Sequence, residues 1–209
     1  MTRLSEWSPT SVRGTFVLNT FDYIREHFGQ DAQRMVMRRL PESLVALVDS
    51  RDRSWVPLHD LVTCMRTAKA LLAPEDDFFY RDIGSYGGRH LRTLWLGILF
   101  SEPARPLQCC KLLWRTFVDS GHLEVIPSPG AATLRIHDLP VAAPFCERLL
   151  GSFEGLFSVA AKPMHIEKRA CTSRGDPYCE MQVSREPPRL QSLVRRASPR
   201  MESAAHPMP

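Results

Sequence analysis

In the stretch CTSRGDPYCEMQV two thiols, Cys171 and Cys179, stand with seven residues between them, around a turn and beside an apolar strand. That spacing leaves four chemistries open: thiolate ligands to a metal, a disulfide, a redox pair, or two small hydrophobic side chains facing a core. Thiolates with one nitrogen or oxygen partner suit tetrahedral zinc, although structural zinc sites usually space their cysteines more tightly. The adjacent Cys109 and Cys110 fall in an apolar, helix-like run and read as packing residues. Other groups offer less. The acidic cluster EDDFF (residues 75–79) opens a predicted helix, where the dipole already accounts for it. The Arg89–His90 pair has no partner pattern around it. The chain has no G-x-S-x-G, no P-loop and no dinucleotide fingerprint. It is therefore read as a non-enzyme, with no catalytic residue assigned.

Helices come first among the elements that must position these thiols. Apolar spacing predicts a helix over 12–28, ended by Gly29, and a shorter one over 30–40 that stops at Pro41. ESLVALVDS predicts a third, and residues 57–72 a fourth with Pro57 in its first turn. A long helix is expected over 75–100, weakened by Gly84, Gly87 and Gly88, which call for a close helix contact or a kink. Residues 107–121 close the helical half. The pattern then changes. HLEVIP and ATLRIHDL alternate polar and apolar around SPGA, which predicts a hairpin. Residues 140–162 return to helical spacing through Phe145, Leu149, Phe153, Leu156 and Phe157. PMHIEKRAC and YCEMQV are two further strands joined by TSRGDP. Met164 and Ile166 share a face there, and Cys171 takes the other unless a bulge resets the register.

The expected fold is α+β: an N-terminal helical half packed on a four-stranded antiparallel sheet (ββαββ) covered by one helix. Residues 1–10 are read as a flexible N-terminus, 11–121 as the helical half and 122–184 as the ββαββ half, forming one unit with it. Residues 185–209 are read as a disordered basic tail.

With 209 residues, 44% of them hydrophobic, the chain can bury a substantial core. Its net charge is +4, but five arginines against two glutamates from Arg185 onward supply +3 of it. The near-neutral body gives no footprint for nucleic acid. No apolar run reaches signal-peptide or membrane-span length, so a cytoplasmic location without membrane insertion is expected, with thiols reduced.

FCERLLGSFEGLF and HIEKRACTSRGDPYCEMQV resemble the 4-vinyl reductase domain. Its relatives include haem nitric-oxide-binding domains, the sensor domains of aromatic-responsive bacterial activators, and TRAPP transport subunits. In the sensor members the resemblance implies a zinc held by three cysteines and a carboxylate. Cys146, Cys171 and Cys179 match the cysteines here. Glu167 stands for the carboxylate, one position from the family's place, and His165 is the other nearby donor. Haem is not expected: its branch uses a Tyr-x-Ser-x-Arg signature, and SYGGRH does not match it.

The resemblance implies a sensory or regulatory module of bacterial type. It would bind a small apolar ligand or a signalling protein between helical half and sheet, with Trp95, Trp114, Phe153 and Phe157 lining the pocket. One alternative is a TRAPP-like scaffold, a homodimer through N-terminal helices brought close by the glycines of GSYGG. Another is an enzyme or cofactor carrier of the 4-vinyl reductase type.

Overall fold

A computed structural model describes residues 10–90, 104–139, 142–158 and 164–185. The expected tail from residue 186 onward and Trp95 lie outside the described residues. Thr10, assigned to a flexible N-terminus, is buried, and its carbonyl accepts the Leu58 amide at 2.7 Å.

The helical half begins with a strand the sequence pattern does not announce. β1 (Ser11–Arg13) pairs antiparallel with β2 (Trp55–Pro57), three residues each. The predicted first helix therefore starts later. α1 (Thr15–Met37) joins both predicted N-terminal helices across a kink at Gly29, whose φ of 86° only glycine adopts without strain. α2 (Glu42–Ser50), α3 (Leu58–Leu72), α4 (Phe79–His90) and α5 (Ala104–Phe117) follow.

The second half is ββαββ as expected: β3 (His122–Ser128), β4 (Ala131–His137), α6 (Ala143–Ser158), β5 (His165–Ala170) and β6 (Cys179–Ser184). Its sheet is antiparallel in the order β3-β4-β6-β5, so the two hairpins join through β4 and β6. One face is apolar. Leu134 pairs with Met181 and Ile136 with Cys179, and all four are buried. The other face carries Glu124, Arg135 and Glu180 in one ion-pair network.

α6 fills the space between sheet and helical half, and it reaches α4 through glycine. Gly84 and Gly88 on α4 face Gly151 and Gly155 on α6. A Cβ added at Gly84 would lie 2.0 Å from the Arg148 carbonyl oxygen, and one at Gly151 1.9 Å from that of Arg81. The two backbones are in direct contact along two G-x-x-x-G rows, and Arg81 pairs with Glu154 beside them (2.6 Å, Nε to Oε2). Gly84 and Gly88 are thus consumed inside the chain. They leave no close-approach surface for a second copy, which removes the reason given for a dimer through GSYGG.

Candidate functional site

Two features of α6 could do chemistry: a thiol cluster near its start and a cavity along its middle.

The cluster begins with the last hairpin. β5 and β6 pair in register from His165↔Ser184 to Lys168↔Met181, then shift at a bulge between Lys168 and Ala170. The extra residue rotates the strand end, so Cys171 turns into the interior. A 3-10 turn (Thr172–Arg174) and Gly175, at φ 93°, return the chain to β6. The Asp176 carboxylate closes the turn by accepting the Cys171 amide at 2.7 Å. Cys179 enters β6 on the apolar face, below Cys146 in the first turns of α6. The Sγ atoms of Cys146 and Cys179 are 3.8 Å apart, as are those of Cys179 and Cys171. All three lie within 4.8 Å of one another and all are buried.

These distances decide among the four chemistries. A disulfide needs about 2.05 Å, so the thiols are reduced as they stand. Ligands held at about 2.3 Å from a tetrahedral ion are separated by about 3.8 Å, the spacing found twice here. Cys179 is also the member best able to carry negative charge. The hydrogen bond from Cys146 draws its thiol below the ordinary range, and the Thr172 hydroxyl (3.3 Å) and amide (3.4 Å) add to this against the cost of burial. Cys146 is pushed up in turn.

The expected fourth ligand is not there. Glu167 pairs with Gln182 and His165 with Ser184, which places both on the charged face of the sheet, opposite Cys179. Glu167 is engaged with Arg169 at 2.8 Å. Side chains alternate along a strand, so no rotamer change brings Glu167 through the sheet. Among the described residues the cluster is three sulfurs, with the Ser173 hydroxyl 3.0 Å from Cys171 as the nearest oxygen donor recorded there.

The cavity lies where α1, α5, α6 and the start of β3 meet. It measures about 90 Å³, and its walls include Phe16, Leu113, Trp114, Phe117, Leu123, Phe153 and Leu156. Of the expected pocket residues, Trp114 and Phe153 line it. Phe157 does not; it is fully buried in the core. The Trp114 indole is fixed by donating to the Ser120 carbonyl at 2.9 Å.

One wall residue was missed from the sequence. Arg148 is 1% exposed. Its Nη1 donates to the Thr20 hydroxyl and its Nη2 to the Phe16 carbonyl, each at 2.6 Å, and its Nε has no partner. Burial pulls its pKa down to about 9, which leaves it charged at neutral pH. The signal was present: Phe145, Arg148, Leu149, Ser152 and Leu156 recur at one-face helical spacing.

No protein-family model matches the chain, and no curated protein matches it. Solved structures do match in fold. A mutant H-NOX protein from K. algicida, in an Fe(II) unliganded state, aligns with a TM-score of 0.63 at 10% identity, over 84% of this chain and 97% of that one. An H-NOX protein from S. oneidensis in the Fe(II)NO ligation state gives 0.60 at 12%, over 82% and 98%. A third structure, described in terms of heme redox potential and porphyrin distortion, gives 0.56 at 14%, over 82% and 99%. The chain thus shares the fold of H-NOX proteins. The particular resemblance to the 4-vinyl reductase domain gains no support.

The comparison also corrects the expectation against haem. The absence of the Tyr-x-Ser-x-Arg signature does not remove haem, because the fold is shared by solved structures described in terms of heme redox potential and of heme distortion in the H-NOX family. A sequence signature reports one way of holding propionates, and the fold reports the space between helices and sheet. Fit is a separate matter. No described histidine lines the cavity, and its volume is well below the about 300–1,000 Å³ of sites for drug-sized ligands. As arranged, this cavity by itself is too small for a porphyrin, and its lining offers Cys110 but no histidine as an axial donor.

Proposed function

We propose that this chain is a sensory or regulatory module without turnover of its own, binding a small, largely apolar molecule in the cavity between α1, α5 and α6. The observation that carries this reading is the cavity itself. It is walled mainly by aromatic and aliphatic side chains at the junction of helical half and sheet, with Thr15, Asn19 and Ser152 and a single buried charge among them. The fold supports it, since a solved structure that shares it is described in a ligation state. Among the described residues no helix is long and apolar enough to cross a membrane.

The thiol cluster is read as a metal site in the same module. Cys146, Cys171 and Cys179 would hold a thiophilic ion such as zinc and so tie the β5–β6 hairpin to α6. Its role is structural: the bond between hairpin and helix holds one wall of the cavity in place.

A ligand that binds only the folded state raises stability by mass action, by about 2.7 kcal/mol at 100 times its Kd. For a chain of this length that is a rise of roughly 5–10 °C in Tm. A thermal-shift screen of small apolar molecules is expected to return hits of that size. Native mass spectrometry of protein purified without chelator should show a retained molecule or a stoichiometric ion. No hit and no retained mass would remove the ligand-binding reading. The fold relatives favour a second reading, in which the module carries haem. A Soret band in protein from haem-supplemented cells would establish it, and a colourless protein that takes up no added haemin would exclude it.

A further inference from the structure

Arg148 poses a question that the cavity alone does not. A guanidinium taken out of water is costly unless a negative charge meets it. Among the described residues no carboxylate pairs with Arg148. The titratable group that acts on it is the buried Cys64, whose thiol is pushed up to about 12 by that burial and is neutral at ordinary pH. Its two short hydrogen bonds tie α6 to α1, through Thr20 and the Phe16 carbonyl. Both partners are neutral acceptors, and a neutral donor would serve them. The Phe16 ring beneath it, 5.2 Å from Cζ, offers a weak cation–π contact. None of this balances a full charge. The same residue is part of the wall of a mainly apolar cavity, whose lining also includes Thr15, Asn19 and Ser152.

We propose that the molecule bound in this cavity is a short-chain carboxylic acid, with its tail against Phe16, Trp114 and Phe153 and its carboxylate as the missing counter-ion of Arg148. The inference rests on the ligand-binding reading above and names the ligand class for it. Arginine presents donors in a planar fork suited to a carboxylate, and its Nε, enclosed without a partner, is the donor that a small shift of the side chain toward the cavity would offer. Size sets the rest. An apolar cavity of about 150 Å³ holds benzene, six carbons, so on the same scale about 90 Å³ encloses about four heavy atoms, the carboxylate and first carbons of a short acid. A longer tail has a way out, because Trp114 and Leu123 also wall a surface groove with Lys111, Arg115, His122 and His137.

The test compares butanoate and pentanoate with their amides, which keep the shape and lose the charge, by calorimetry and by tryptophan fluorescence on the wild-type chain. The acids are expected to bind at least tenfold more tightly than the amides. In Arg148→Met, a neutral replacement of similar length, that preference should vanish while the amides bind as before. The wild-type comparison stands by itself if the variant does not fold. Acids and amides binding equally would overturn the acid proposal and leave the cavity reading intact, as would Arg148→Met retaining the full preference. If neither acids nor amides bind, and the broader thermal-shift screen also fails, the ligand-binding reading falls and the acid proposal with it. If that screen succeeds with other molecules, only the acid proposal falls.

Discussion

Gly151→Ala is expected to destabilise the chain by about 4 kcal/mol, lowering Tm by about 8–16 °C or leaving the protein insoluble. The new Cβ would sit 1.9 Å from the Arg81 carbonyl oxygen and 2.7 Å from its carbon. Both atoms belong to the backbone of α4 and cannot rotate away. The helices must part, and parting them breaks the contact along Gly84, Gly88 and Gly155 as well. Overpacking ordinarily costs about 1–3 kcal/mol because side chains can adjust; here the three atoms nearest the new Cβ are all backbone. Gly87→Ala is the internal control. Its Cβ would meet the Asn19 side chain at 2.9 Å, which can swing aside, so a loss of no more than about 1 kcal/mol is expected. Thermal melts of the two variants check the ranking. Equal Tm values would mean that the helices are farther apart than described.

The second large effect concerns the thiol cluster. Protein purified without chelator is expected to contain close to one zinc per chain by elemental analysis. Cys146→Ala should abolish it and lower Tm by roughly 6–12 °C, the equivalent of about 3 kcal/mol, the upper end of what a single substitution ordinarily costs. Exhaustive chelation of the wild type should have the same effect, reversed by adding zinc. Glu167→Gln should leave the metal content unchanged, because Glu167 is on the far face of the sheet with Arg169. A wild-type protein with almost no zinc would sink the metal reading and leave the three cysteines as packing. Loss of zinc in Glu167→Gln would instead mean that the β5 register differs from the one described.

The contrast between Cys146 and Glu167 shows where the sequence is informative. The two hairpins were legible because alternation is local: a strand with one buried face writes its period into four or five residues. α6 was legible for the same reason at the helical period. Nothing local decides which strands of the two hairpins become neighbours, nor that a bulge after Lys168 turns Cys171 inward while Glu167 stays outward. Those outcomes are set by the pairing of β6 with both β4 and β5. β1 and β2 escaped notice because three residues are too few for a period. Gly29 was read as a helix end, and the local conformation agrees with that; the next helix simply starts without a gap. Arg148 was passed over because charged residues are mostly solvated, although its place among Phe145, Leu149 and Leu156 was visible in the helical spacing. The glycines were noticed one helix at a time. Their meaning lies in the match between two rows about seventy residues apart, which spacing within either helix does not report.

The strand order β3-β4-β6-β5 has a consequence for how copies of this chain can meet. A four-stranded antiparallel sheet ends in two edges, each a row of backbone donors and acceptors open to strand addition from another molecule. Here both edge strands are ill suited to it. β5 is interrupted by its bulge and presents His165, Glu167, Lys168 and Arg169 along a six-residue strand. β3 carries Pro127, which has no amide hydrogen to give to a new neighbour. Such blunting protects the sheet against edge-to-edge aggregation and closes strand addition as a route for copies to join.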